Sequence, residues 1–194
     1  HLHDKEKSDQ QIRIFAGLTR LRQLCCDPWL FVEDYEGRSG KLDQLLELVE
    51  DYRASGRRML VFSQFTGMLK RIGKKLNDRH IPYFYLDGST ASAERVELCH
   101  RFNAGEQDVF LISLKAGGTG LNLTGADTVI LYDLWWNPAV EEQAADRAYR
   151  MGQQRKVQVI RLITRGTVEE KMLELQQSKR ELVSEIIQPG QAQL

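Results

Sequence analysis

The chain has 194 residues, 42% of them hydrophobic, a size and composition that suit one α/β domain with a real core. Its 27 basic and 27 acidic side chains cancel, which excludes a protein that is basic all over, such as a histone-like DNA binder, but not a local basic patch. Cys25, Cys26 and Cys99 are odd in number and two are adjacent, so they fit reduced thiols in a cytosolic or nuclear compartment; no zinc-ligand spacing occurs, and no apolar run reaches the roughly 18 residues of a membrane span.

No signal peptide is visible, and His1 in place of an initiator methionine reads as a piece of a longer protein. Residues 9–24 carry Ile12, Phe15, Leu18, Leu21 and Leu24 at helical spacing, and Asp27-Pro28 ends that helix. Trp29, Leu30, Phe31 and Val32 follow as an expected core cluster. Residues 33–40 are polar with two glycines, a surface loop. Gly37-Arg-Ser-Gly40-Lys41 resembles a phosphate loop and fails the test. The pattern G-x-x-x-x-G-K-[ST] needs glycine at 35 and a hydroxyl at 42, where Tyr35 and Leu42 stand. The segment instead opens a helix with Leu42, Leu45, Leu46 and Val49 as its buried stripe.

From there strands and helices alternate. Met59 to Phe62 is a short apolar strand, and Met68, Leu69, Ile72 and Leu76 mark a helix. Tyr83 to Leu86 is a second strand, after which Ser92 is placed to cap a helix carrying Val96, Cys99 and Phe102. Val109 to Leu114, Thr128 to Tyr132 and Val157 to Ile163 are three more strands. Continuous apolar strands alternating with helices predict a parallel sheet covered on both faces. Lys115 to Asp127 has no helical pattern and reads as a structured working loop. Thr167-Val-Glu-Glu170 is a capping box, opening a helix with Val168, Met172, Leu175, Leu182 and Ile186 as apolar positions. Ser178, Lys179 and Arg180 interrupt it, so one helix and two are both open. The tail from Pro189 to Leu194 is expected to fray.

Ligands of open α/β sheets bind at the carboxyl ends of the strands. Four stretches fall there: Ser63-Gln64, Asp87 to Thr90, Ser113 to Asn122, and Asp133 to Pro138. The third is the most informative, since Gly117, Gly118 and Gly120 let backbone N–H groups approach a phosphate and Lys115 adds charge. A plain flexible turn has the same composition. Of Trp135 and Trp136, one is expected in the core and the other exposed for stacking or groove contact. Pro138 and Gly152 bracket a predicted helix through Gln143-Ala-Ala-Asp-Arg147-Ala-Tyr-Arg150. Arg147 and Arg150 are three apart, hence neighbours on one face. They suit an anionic ligand such as a nucleoside triphosphate, whose oxygens match guanidinium forks. A solvated basic face balanced by Asp146 and Glu142 fits the spacing equally.

The strings LRQLCCDPWLF, MLVFSQFTGML, LDGSTASAERVELCHRFN, VFLISLKAGGTGLNLTGADTVILYDLWWNPAVEEQAADRAYRMGQ and TVEEKMLELQQSKRELVSEII resemble the second motor lobe of Swi/Snf-type ATPases. These are double-stranded-DNA translocases of helicase superfamily two and include chromatin remodellers. The resemblance runs from about Gln11 to Ile187. Tyr149-Arg150-Met151 looks more like the bacterial members, since eukaryotic remodellers usually carry histidine at the position of Tyr149.

The resemblance implies a RecA-like three-layer domain over 41–165. A leading helical segment and loop would occupy 1–40, and brace-like helices with a frayed tail 166–194. It implies that Arg147 and Arg150 reach the ATP γ-phosphate, and that Gly120, Leu121, Asn122 and Gln143 lie near the nucleotide. Ser63, Gln64, Ser113, Lys115, Gly117 and Gly118 would line the DNA backbone and Trp136 the tracked strand, with Gln153, Arg155 and Lys156 as a further DNA-facing extension. The cofactors implied are ATP and Mg2+, both held mainly by a first lobe that would carry the phosphate loop and acidic box missing from this sequence. The implied partners are duplex DNA and that lobe, with no membrane, and the fragment is expected to be monomeric and inactive alone. The location would be cytoplasmic and nucleoid-associated for a bacterial protein, nuclear for a eukaryotic one. A non-catalytic nucleic-acid- or protein-binding module and an RNA-helicase lobe remain the alternative readings.

Overall fold

Residues 2–30, 32, 37–117, 120–135, 137–148 and 156–187 are described by the computed structural model, with side chains from residue 6 to residue 182. Apolar runs too short for helices become strands: β1 (Met59–Ser63), β2 (Phe84–Leu86), β3 (Val109–Ser113), β4 (Thr128–Leu131) and β5 (Gln158–Arg161). All their pairings are parallel, in the order β2-β3-β1-β4-β5. Met59 on the central strand sits opposite Val109 on one side and Thr128 on the other.

Every residue of β1, β3 and β4 is buried, so these strands read as continuous apolar runs rather than alternating ones. Alternate residues feed two cores. Leu60, Phe62, Phe110, Ile112, Val129 and Leu131 face one side, where α4 (Ser92–Asn103) and α6 (Pro138–Asp146) pack. Met59, Val61, Val109, Leu111, Ile130 and Tyr132 face the other, covered by α2 (Gly40–Ala54) and α3 (Thr66–Asp78). Each such fully buried aliphatic or aromatic side chain contributes about 1.5–3 kcal/mol. The result is the three-layer α/β arrangement that the resemblance implies, with α1 (Leu2–Cys26), a 3-10 turn at Pro28–Leu30 and α7 (Val168–Ile187) added to it.

Arg58, just before β1, seals the sheet's amino edge. Its guanidinium lies 4.1 Å from the Phe102 ring centroid. It donates to the carbonyls of Phe102, Gln107 and Gly125.

Several local expectations need correction. The apolar positions Ile12, Phe15 and Leu21 on α1 form the expected helix but are exposed, because only the last turn of that helix, with Arg22 and Cys26, reaches the sheet. Trp29 and Val32 are also exposed, and Trp29 instead carries the Arg71 guanidinium 4.8 Å over its ring. Ser92 is the first residue of α4 and makes no cap; Ala91 holds the capping position. Leu114–Gly117 forms one helical turn, α5, where no helix was expected. The C-terminal helix is single, and its buried face is Glu169, Met172 and Gln176, while Leu175 and Leu182 are exposed. No described helix is long and apolar enough to cross a membrane.

Candidate nucleotide and nucleic-acid site

The carboxyl edge of the sheet is where β1 and β4 lie side by side and their onward connections part. The chain leaves β1 through α3 towards β2, and leaves β4 through α6 towards β5. Such a switch point opens a crevice between strand ends.

Asp133, two residues past β4, lies at this edge and is 1% exposed. Its carboxylate accepts hydrogen bonds from the Ser63 hydroxyl and, at 3.0 Å, from the Gln64 N–H. The Cys26 thiol lies 3.8 Å away. Burial raises the Asp133 pKa, against the pull of those two donors. Burial, then the neighbouring Asp133 charge, pushes the Cys26 thiol well up. Arg22 is buried here too and donates to the Leu134 carbonyl.

This geometry changes the reading of Ser63. The expectation was a DNA contact, but Ser63 is fully buried with its hydroxyl committed to Asp133. Its side chain positions Asp133 and is not presented to a ligand. Ser113 is 3% exposed, and its hydroxyl accepts from the Ala116 N–H at 3.2 Å, capping α5. Gln64 is half-buried, and its side-chain amide nitrogen has no partner among the described residues. Lys115 projects into solvent from α5.

The glycines of the loop after β3 answer to different demands. A Cβ on Gly117 would meet Phe62 Cε1 at 2.8 Å, so this glycine is required by packing on the sheet. Gly120 has φ +74° with open space around it, a left-handed conformation that only glycine adopts readily. Leu121 is buried in the Phe62 core, while Asn122 is exposed and its carbonyl accepts from Asn103 Nδ2 at 3.0 Å. Between this loop and α4 runs a cleft of about 570 Å³, bordered by Arg95, Cys99, His100 and Asn103. Burial raises the Cys99 thiol pKa to about 11.

Asn137 caps α6 through Ala139 N–H at 3.1 Å, and Pro138 opens the helix. The helix was expected to run on to Gly152; it ends at Asp146. The last turn tightens, with Arg147 N–H bonding to Ala144 O and Ala148 N–H to Ala145 O. The Arg147 carbonyl is thereby turned to the Leu123 N–H, at 2.9 Å. Arg147 is 8% exposed, and its Nε donates to the Gln143 carbonyl at 3.0 Å. The structure therefore ties Leu123, which follows the Gly120–Asn122 turn, to Arg147, and Arg147 to Gln143. Lys156 is exposed just before β5. Gly118, Trp136, Arg150, Gln153 and Arg155 lie outside the described residues.

The sequence reading missed two buried polar groupings. Lys41 Nζ donates to the Tyr132 carbonyl at 2.8 Å and to both Glu169 oxygens at 2.6 Å, which ties the starts of α2 and α7 to the end of β4. Glu141 on α6 accepts from the Trp135 N–H at 3.2 Å, Arg161 Nε at 2.9 Å and Gln176 Nε2 at 2.9 Å. The available signal was a charged or amide residue at a position where helical periodicity calls for an apolar one. Trp135 is half-buried and packs against the Phe62 core. No group of three or more His, Cys, Asp or Glu side chains converges as a metal site among the described residues.

Comparison with known proteins agrees with this layout. The family profile of the helicase conserved C-terminal domain matches residues 40–152. The chain is 43% identical over 196 residues to a putative ATP-dependent helicase/translocase, YwqA, of Bacillus subtilis, covering 97% of this chain and 21% of that protein. It is 41% identical over 202 residues to the mouse SWI/SNF-related matrix-associated actin-dependent regulator of chromatin subfamily A member 1, covering 97% of this chain and 19% of that protein. The C-terminal part of the Fun30 ATPase domain superposes with a TM-score of 0.69 at 35% identity, over 81% of this chain and 53% of that one. The chain thus spans about a fifth of the length of these curated relatives.

Proposed function

Because the chain belongs to the helicase conserved C-terminal domain family, with Swi/Snf-type relatives, we propose that it is the second motor lobe of an ATP-dependent translocase on double-stranded DNA. It supplies arginine charge to ATP hydrolysis and part of the grip on the DNA backbone. The other lobe of the motor holds most of the ATP and its Mg2+, so this lobe alone does not turn ATP over. The fit on this side is to phosphate, since Arg147 lies beside the glycine loop and no group of three or more His, Cys, Asp or Glu side chains converges among the described residues.

The observation that carries the reading is the hydrogen bond from Leu123 N–H to Arg147 carbonyl. It binds the glycine loop to the arginine segment at the ligand edge of the sheet. Charge that develops on the γ-phosphate oxygens during transfer is met there by guanidinium when the two lobes close. Arg150 is the second arginine of the proposal. Lys115, with the backbone around Gln64 and Gly117, contacts duplex phosphates without reading sequence. Gly118, Trp136, Gln153, Arg155 and Lys156 extend that contact, and Ser63 and Ser113 support it from beneath.

The test is made in the two-lobe polypeptide. Arg147→Ala or Arg150→Ala leaves DNA affinity nearly unchanged and lowers kcat, by about 10³–10⁵ for the better-placed arginine. Lysine rescues poorly, because a point charge cannot make a two-pronged contact. Unchanged turnover in both alanine variants overturns the assignment.

A further inference from the structure

Helix α7 turns Glu169, Met172 and Gln176 inward, at spacings of three and four that put them on one face. The last of these is the odd one. Gln176 is 0% exposed at a position where the periodicity asks for a hydrophobic side chain. Its Nε2 donates to the Trp135 carbonyl and, at 2.9 Å, to Glu141 Oε1. Both facing atoms are acceptors, which fixes the amide with its nitrogen toward them. Its Oε1 is then left without a partner among the described residues.

A buried acceptor without a donor is destabilising. Methionine would remove that penalty but leave the Trp135 carbonyl without its donor, so the two effects on stability oppose each other. What glutamine provides is a donor to a single backbone carbonyl. Glu141 provides the acceptor for the N–H of the same residue, at 3.2 Å. Trp135 is thus clamped at both backbone polar groups, by one side chain from α6 and one from α7. Arg161 on β5 fixes the other Glu141 oxygen at 2.9 Å, with the carboxylate fully out of water. The clamped residue lies two after Asp133 and immediately before Trp136 in sequence.

We infer that Gln176 and Glu141 are positioning residues, through which helices α7 and α6 set the Trp135 backbone, just past the end of β4, for contact of this strand end with duplex DNA. This rests on the DNA-grip reading above. Neither residue touches the ligand; each acts on the backbone that carries the loop. Asp133, Leu134 and Asn137 are anchored by Ser63, Gln64, Arg22 and the start of α6, while Trp135 takes its clamp from α6 and α7, so a shift of α7 should change the response to DNA before it changes the fold.

The experiment compares parent, Gln176→Met, Gln176→Glu and Trp136→Ala in the two-lobe polypeptide. DNA-free turnover, DNA-saturated turnover, the DNA concentration for half-maximal stimulation and the urea midpoint are measured for each. Gln176→Met should raise the half-saturating DNA concentration about five- to tenfold, equivalent to about 1–1.4 kcal/mol. Its DNA-free turnover should stay at the parent value, with at most a small fall in the urea midpoint from the Trp135 carbonyl left without its donor. Gln176→Glu, which keeps the shape but sets a carboxylate against Glu141, should raise it further. A merely structural glutamine would instead lower the urea midpoint and both turnover rates together, with half-saturation unmoved, and that result overturns the inference. Weaker DNA stimulation in Trp136→Ala alone also overturns the inference while leaving the DNA-grip reading intact. Parent-like stimulation in Trp136→Ala takes this strand end out of the grip and overturns the inference, leaving the Lys115 contact to be judged by its own salt dependence.

Discussion

Lys41 at the start of α2 and Glu169 at the start of α7 form an ion pair shut away from water, 4% and 2% exposed, with Nζ 2.6 Å from the carboxylate. The same nitrogen donates to the Tyr132 carbonyl at 2.8 Å and lies 5.2 Å from the Tyr132 ring centroid. The lysine that completes the failed phosphate-loop pattern is therefore occupied inside the protein.

Removing one partner leaves the other charge buried and alone. Lys41→Met should cost roughly 3–5 kcal/mol, a fall in melting temperature on the order of 10 °C for a domain of this size. The double variant Lys41→Met/Glu169→Leu should recover much of that, because the burial of charge disappears with the charge. Calorimetry on the two single variants and the double decides it: a double variant as unstable as the worse single one contradicts the assignment.

Asp133 gives a pH signature. Its folded pKa is raised by burial above the ordinary aspartate value of 3.8, so the folded protein keeps this proton where the unfolded chain has lost it. The stability it contributes is fully present below that ordinary value and is lost as pH rises through the raised one. Asp133→Asn cannot titrate and lacks this step. Measured by denaturant midpoints from about pH 8 down to about pH 4, the difference between parent and variant should move in the parent's favour on acidification. A difference that does not vary with pH speaks against the raised carboxyl.

Gly117→Ala forces a methyl group to within 2.8 Å of the Phe62 ring. Overpacking of this kind should cost about 1–3 kcal/mol. Gly88→Ala, which meets nothing within 4 Å, should stay within about 0.5 kcal/mol of the parent. Urea unfolding of both variants checks the contrast, and equal effects would show that the Phe62 contact does not matter.

Lys115 is exposed on α5 with no ion pair among the described residues. If it meets a phosphate, Lys115→Ala should make the plot of log K against log salt shallower by about 0.9 and weaken binding evenly across DNA sequences. Titration of two unrelated duplexes at several salt concentrations measures both quantities, and an unchanged slope removes Lys115 from the grip.

The sheet was legible because buried parallel strands are written as unbroken apolar runs. Met59–Ser63 and Val109–Ser113 could be placed within a residue for that reason. The burial of α1 was not legible. Periodicity says that Ile12 and Phe15 share a side of a helix, not that anything covers that side. The end of α6 was hidden as well, since Arg147 gives its carbonyl to Leu123, more than twenty positions earlier, and no local signal announces that exchange. Lys41 and Glu169 are 128 positions apart, and the inward face of α7 is set by that pairing rather than by Leu175 or Leu182. At the carboxyl edge, the resemblance offers candidate residues, but the hydrogen bonds of Ser63 to Asp133 and of Ala116 to Ser113 needed coordinates.

Arg58 stands at the other end of β1 from Ser63, five residues and roughly 16 Å away along the strand. Its three carbonyl bonds and the Phe102 ring beneath it join the β3 approach, the end of α4 and the turn before β4 at the edge where no ligand is expected. This fastening thus lies at the opposite end of the strands from the proposed contacts. A weakened Arg58 should shorten the protein's working life while leaving the carboxyl edge as it is, so that natural variation can adjust longevity at one end without disturbing the other.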